Sequence, residues 1–124
     1  MEPIFDRKGK AVAFRMRDYV YDREGKAIAL VRERSLFTFA GDFLGRFEDG
    51  FYRDARSRAV AFEKGATGGP TKPVPERNVI APLRQELPHP PEKLEVPPRP
   101  PFRSNQWSDL DWDAFIAGGA TASA

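Results

Sequence analysis

One sixteen-residue unit, repeated four times without a gap, constrains this chain more than any other feature of its sequence. Ile4-Phe5-Asp6-Arg7-Lys8-Gly9-Lys10-Ala11-Val12-Ala13-Phe14 returns as Val20-Tyr21-Asp22-Arg23-Glu24-Gly25-Lys26-Ala27-Ile28-Ala29-Leu30. The third copy is Leu36-Phe37-Thr38-Phe39-Ala40-Gly41-Asp42-Phe43-Leu44-Gly45-Arg46, and the fourth is Tyr52-Arg53-Asp54-Ala55-Arg56-Ser57-Arg58-Ala59-Val60-Ala61-Phe62. Such a chain places one local structure four times, in units of about 3–18, 19–34, 35–50 and 51–66.

Each unit reads as a β-hairpin. Asp6, Asp22, Thr38 and Asp54 stand three residues before Gly9, Gly25, Gly41 and Ser57. A short polar side chain followed at that distance by glycine, which takes positive φ, is the signature of a type I hairpin turn with a bulge. Ser57 departs from glycine, so the fourth turn is expected to be the most strained or irregular. The further carboxylates of a calcium loop are missing, and no metal site is expected here.

The columns of the repeat then assign the strands. Val12, Ile28, Leu44 and Val60 are apolar in every copy and read as the core. By alternation, Phe14, Leu30, Arg46 and Phe62 are expected on the same face. Ala13, Ala29, Gly45 and Ala61 are always small and are expected on the opposite face, where another element comes close. Phe5, Tyr21, Phe37 and Arg53 form a second, mostly aromatic column before each turn. Eight short strands in an open row would leave two free edges, whereas closure leaves none. The expected fold is all-β: a small, shallow, pseudo-fourfold-symmetric barrel of four hairpins over residues 1–66. A core this small gives modest stability unless the remaining chain packs on it.

That remaining chain changes character. Most of the twelve prolines fall after Gly68, and residues 67–106 read as an extended, polyproline-like linker with no core of its own. Pro98-Arg99-Pro100-Pro101-Phe102-Arg103 also fits a basic ligand for an SH3-type groove. The one histidine, His89, lies between Pro88 and Pro90 and reads as a solvated linker residue. Residues 107–117 are aromatic and acidic. Ser108 with Asp111 resembles a capping box ahead of a short helix that gathers Trp112, Phe115 and Ile116 on one side. Residues 118–124 read as a flexible tail.

Several function classes find no support. There is no cysteine, so disulfides and thiolate chemistry are excluded. Twenty basic against eighteen acidic side chains leave a net charge of +2 with no basic stripe, and nucleic acid is not an expected partner. The chain begins without the apolar run of a signal peptide and holds no apolar run long enough to span a bilayer, which reads as cytoplasmic. No nucleophile elbow or phosphate loop is present, so an enzyme is not expected, nor any cofactor.

Two readings of function remain. In the first, the barrel is a non-enzymatic binding module with a shallow apolar cup lined by Val12, Phe14, Ile28, Leu30, Leu44, Arg46, Val60 and Phe62. The cup takes a lipid-like or aromatic ligand, or the chain's own C-terminal segment. In the second, Trp107, Leu110, Trp112, Phe115 and Ile116 dock on another copy or another partner, making this a structural or interaction protein. Charge favours docking on the barrel, since residues 1–66 hold fourteen basic and eleven acidic side chains, whereas the stretch from Trp107 holds three aspartates and no base.

The Asp-x-x-Gly hairpins, Phe43-Leu44-Gly45-Arg46-Phe47-Glu48-Asp49-Gly50, Gly65-Ala66-Thr67-Gly68-Gly69-Pro70-Thr71-Lys72-Pro73, and Trp107-Ser108 followed by Phe115-Ile116 together resemble the bacterial four-fold beta flower family. The resemblance implies a shallow symmetric barrel of four hairpins and brings no established activity with it. Its barrel is likened to the lipid-binding tubby type without the helix that fills it, a likeness of fold alone. Arg46, Arg53 and Ser57 break the columns, all in the third and fourth copies, and mark the side of the barrel where a specialised role is expected.

Overall fold

The computed structural model describes residues 1–100 and 103–118. Eight antiparallel strands follow one another in chain order: β1 (Glu2–Asp6), β2 (Ala11–Met16), β3 (Tyr19–Tyr21), β4 (Ala27–Arg32), β5 (Ser35–Phe37), β6 (Phe43–Glu48), β7 (Phe51–Arg53) and β8 (Ala59–Glu63). They form one closed barrel, with β8 returning to pair with β1 through Phe5 opposite Phe62. One short helix, α1 (Trp112–Ile116), follows near the C-terminus.

The Asp-x-x-Gly turns form as the sequence requires. Asp6 accepts the Gly9 amide on its carbonyl at 2.9 Å, while its carboxylate accepts the amides of Lys8 and Lys10. Asp22 and Asp54 repeat the arrangement, and the Thr38 hydroxyl accepts from Asp42. The fourth turn is not irregular. Ser57 takes a φ of +65° and donates to the Asp54 carbonyl at 3.0 Å, as glycine does in the other three. Its carbonyl is held by the Arg53 guanidinium, which fixes a conformation that serine adopts at some cost.

A bulge in every hairpin decides which columns face inward. Ile4 opposes Ala13 but Phe5 opposes Ala11, so Val12 is the extra residue, and the same shift recurs at Ile28, Leu44 and Val60. The extra residue breaks strict alternation. Val60 and Ala61 therefore join one interior cluster, while Phe62 belongs to a different cluster on the outer wall. This corrects two expectations from the repeat. The small column Ala13, Ala29, Gly45 and Ala61 lines the interior, and Phe14, Leu30, Arg46 and Phe62 face outward. Opposite the small column stand Ile4, Val20, Leu36 and Tyr52, all fully buried. Beyond them, Arg15, Val31, Phe47 and Glu63 form the ring at the far end.

The described residues of the proline-rich stretch form no helix or strand, yet the stretch is not a free tether. It runs round the outer wall as a belt and meets the four hairpins in order. The Glu76 amide donates to the Gly9 carbonyl, and the Glu76 carboxylate accepts from Ala11 at 3.0 Å. Gln85 donates in the same way to Gly25. Pro91 and Lys93 pass Gly41, and Gln106 accepts from Ala59 beside the fourth turn. The belt then joins β8 through a parallel bridge between Trp107 and Ala59. Glu48 and Asp49 tie down Arg99 and Arg103, the arginines of the SH3-like motif. Of the expected tail, residues 119–124 lie outside the described residues.

Belt contact makes Gly25 a demanding position. Its φ is +89°, and a Cβ there would lie 1.9 Å from the Leu83 carbonyl oxygen. Gly25→Ala is expected to destabilise the chain by more than about 1 kcal/mol and to raise hydrogen exchange at the Gln85 amide. Urea denaturation with exchange mass spectrometry checks both.

Candidate functional site

The end of the barrel that carries the Asp-x-x-Gly turns is ringed by the four bulge residues Val12, Ile28, Leu44 and Val60. The C-terminal segment closes it. Trp112 and Phe115 are buried in the same cluster as the interior columns, with Leu110 and Ile116 packed at their edge. The Trp112 ring meets Tyr52 edge-on at 5.6 Å and Phe115 at 5.8 Å. Phe115 reaches the small column where it is smallest: a Cβ on Gly45 would stand 3.0 Å from the Phe115 ring and 1.9 Å from the Arg53 carbonyl oxygen. Burying these two aromatic side chains contributes roughly 1.5–3 kcal/mol each.

Hydrogen bonds fix the register of this plug. Asp111 is the helix N-cap, accepting from Ala114 at 2.8 Å. Ser108, expected in a capping box, does something else: its buried hydroxyl donates to the Asp54 carboxylate at 2.5 Å and accepts from the Leu110 amide. Its amide donates to Ala59, and Arg7 donates to its carbonyl. The turn aspartate of the fourth hairpin thus orders its own turn and the plug together.

The plug sits off centre. Leu44 and Val60 are buried beneath it, whereas Val12 and Ile28 are only partly buried. A groove of about 440 Å³ on one side of Trp112 is lined by Val12, Val60 and Leu110 with Arg7 and Lys10 at its rim. A second of about 370 Å³ runs over Ile28 and Ile116, beside Asp22 and Arg23.

The other expected ligand residues lie elsewhere. Phe14 and Leu30 stand on the outer wall opposite Tyr21 and Phe37. Phe62 packs with Phe5, Phe51 and Trp107, so Trp107 is separated from the rest of the plug and seals the outer wall. Arg46 opposes Arg53 across β6 and β7 and donates to the Pro97 carbonyl. Arg53 donates to the carbonyls of Ser57, Gly68 and Ser104, joining the point where the chain leaves the barrel to the point where it returns. The irregular arginines therefore hold the belt rather than line a cup.

Sequence reasoning missed Tyr52 and its partners at the far end. The Tyr52 hydroxyl donates to Glu63 at 2.7 Å, and Arg15 forms a two-pronged ion pair with the same carboxylate. Arg15 also lies over the Phe47 ring. The signal was present in the repeat, since Ile4, Val20, Leu36 and Tyr52 occupy one column.

These features define a class: a closed barrel of four repeated hairpins, belted and plugged by its own C-terminal chain. Residues 2–116 match the family model described as 4-fold beta flower protein, a span that takes in barrel, belt and plug, and the chain belongs to that family. No curated protein and no solved structure matches it significantly. Among the described residues, no helix is long and apolar enough to cross a membrane.

Two predictions follow from the buried aromatic groups. Phe115→Ala is expected to cost about 3–5 kcal/mol, read by urea denaturation, because a fully buried ring is removed from a seat shaped for it. Burial first, and the Glu63 charge second, hold the Tyr52 phenol well above its ordinary value. The folded chain then keeps a proton that the unfolded chain releases near about pH 10. The contribution is full below that pH and is lost as pH rises through the alkaline range. Thermal midpoints measured upward from about pH 9 should fall less steeply for Tyr52→Phe than for the parent chain.

Proposed function

We propose that the protein is a non-enzymatic binding module whose apolar mouth is held, at rest, by its own C-terminal plug and is claimed by a ligand presenting aromatic or lipid-like groups. The observation that carries this reading is the seating of Phe115 over Gly45 and of Trp112 against Tyr52 among the four bulge residues. A mouth that accepts an aromatic pair from a remote segment accepts the same chemistry from outside. The two grooves beside Trp112 give an incoming group a place to start before the plug leaves.

The non-enzymatic part of the reading rests on the residues available. The turn aspartates are engaged by backbone amides, and His89 stands in the belt with its side chain exposed. Docking within one chain is favoured over docking on a second copy, because the belt is hydrogen-bonded to the first, second and fourth hairpins on its way to the mouth.

A plug tethered to its own barrel competes at an effective concentration in the millimolar range. A synthetic peptide of residues 104–118 is therefore expected to bind the full-length Trp112→Ala/Phe115→Ala chain at least about a hundredfold more tightly than the parent. Calorimetric titration of both chains provides the comparison. Equal binding to the two, or binding to neither, contradicts the proposal.

A further inference from the structure

The outer wall between β6 and β7 gathers more positive charge than the chain neutralises. Arg46 and Arg53 stand directly opposite each other there. Both are buried, at 4% and 1% exposure, and among the described residues both donate only to backbone carbonyls, of Pro97 in one case and of Ser57, Gly68 and Ser104 in the other. Arg46 also lies over the Phe43 ring and Arg53 over the Phe51 ring. Carbonyl dipoles and ring faces stabilise a guanidinium without cancelling its charge. The Nε of Arg53 is buried with no hydrogen-bond partner among the described residues.

Two further arginines reach the same place from the belt. Arg99 donates to the Glu48 carboxylate at 2.7 Å and Arg103 to the same oxygen at 3.1 Å. Arg103 also pairs with Asp49. Glu48 is buried, whereas the side chains of Arg99 and Arg103 are about half exposed. Of the carboxylates nearby, Asp54 is committed to Ser108 and its own turn, with Arg58 at 3.6 Å. Among the described residues, Arg46, Arg53, Arg99 and Arg103 thus gather around Glu48 and Asp49, and the charge of Asp54, which Arg58 also meets, reaches Arg53 as well, so guanidinium groups outnumber carboxylates on this wall. Burial first, and like charge second, lower both pKa values: Arg99 acts on Arg46 and Arg103 on Arg53, while Glu48 opposes the shift in both and Asp49 and Asp54 oppose it in Arg53.

The geometry points to a phosphate-type oxyanion site on this wall, formed by the outward-facing donors of Arg99 and Arg103 above the buried charges of Arg46 and Arg53. An anion answers the excess of guanidinium groups, and guanidinium forks suit tetrahedral oxyanions. Among the described residues Arg99 is hydrogen-bonded through one nitrogen, to Glu48, and its side chain is half exposed. The ligand would also neutralise the repulsion that opposes belt closure, so occupancy stabilises the closed chain. The site lies away from the apolar mouth and is independent of the function proposed for it.

Calorimetric titration of the full chain with inorganic phosphate, at fixed ionic strength, tests the assignment. A parallel titration with 5′-AMP separates a free ion from a phosphate monoester as the source. Saturable phosphate binding is expected, weakened at least about tenfold by Arg99→Gln or by Arg103→Gln and unchanged by Arg23→Gln at the mouth. Both weakening substitutions fall on half-exposed side chains, and circular dichroism checks that the variants stay folded. Phosphate binding without AMP binding assigns the site to the free ion, and binding of both assigns it to phosphate esters as well. Absence of saturable phosphate binding, or affinity untouched by both substitutions, overturns the assignment.

Discussion

Interior volume is the constraint on which the rest of this structure depends. Eight short strands enclose just enough space for side chains. Here one interior ring is alanine, alanine, glycine and alanine, which fills little of it. The ring of Ile4, Val20, Leu36 and Tyr52 packs the middle of the barrel, but the mouth beside the turns lacks side-chain volume. Trp112 and Phe115 supply it. An unfilled space lined by apolar groups forfeits contacts on every side, so the repeats and the remote helix form one packed body.

This need explains why the fourfold symmetry is broken where it is. The repeat can place the same hairpin four times, but the chain leaves the barrel once and returns once. Both events occur beside the fourth hairpin. Arg53 replaces the aromatic residue of the other copies and ties Gly68 to Ser104, while Asp54 receives Ser108. Gly45 replaces alanine in the third copy and admits Phe115. The departures thus hold the chain's own belt and plug, and the charge they leave over is what an anion would meet.

Much of the barrel was legible in the sequence, because a gapless sixteen-residue period with turn residues at fixed offsets specifies hairpins and their number. The turns of Asp6, Asp22, Thr38 and Asp54 form as their chemistry demands. The faces were less legible. A bulge adds one residue to a strand without a sequence marker of its own, and alternation read across Val12 or Ile28 places Phe14 and Leu30 on the wrong side. The belt was hidden for another reason. Proline-rich chain has no periodic apolar face, and its attachment to the wall runs through backbone groups of Gly9, Gly25 and Ala59, which composition does not show. Of the plug, the aromatic and acidic character of residues 107–117 was plain. The different tasks of Trp107 outside and Trp112 inside depend on which wall each one meets.

Nuclear Overhauser contacts on the full chain, recorded from an equal mixture of isotope-labelled and unlabelled protein, test the central claim most directly. The account predicts contacts between the Trp112 indole and the Tyr52 ring, and between the Phe115 ring and the Gly45 α-protons, all within a single chain. Absence of these contacts, or their appearance only between labelled and unlabelled chains, would contradict it.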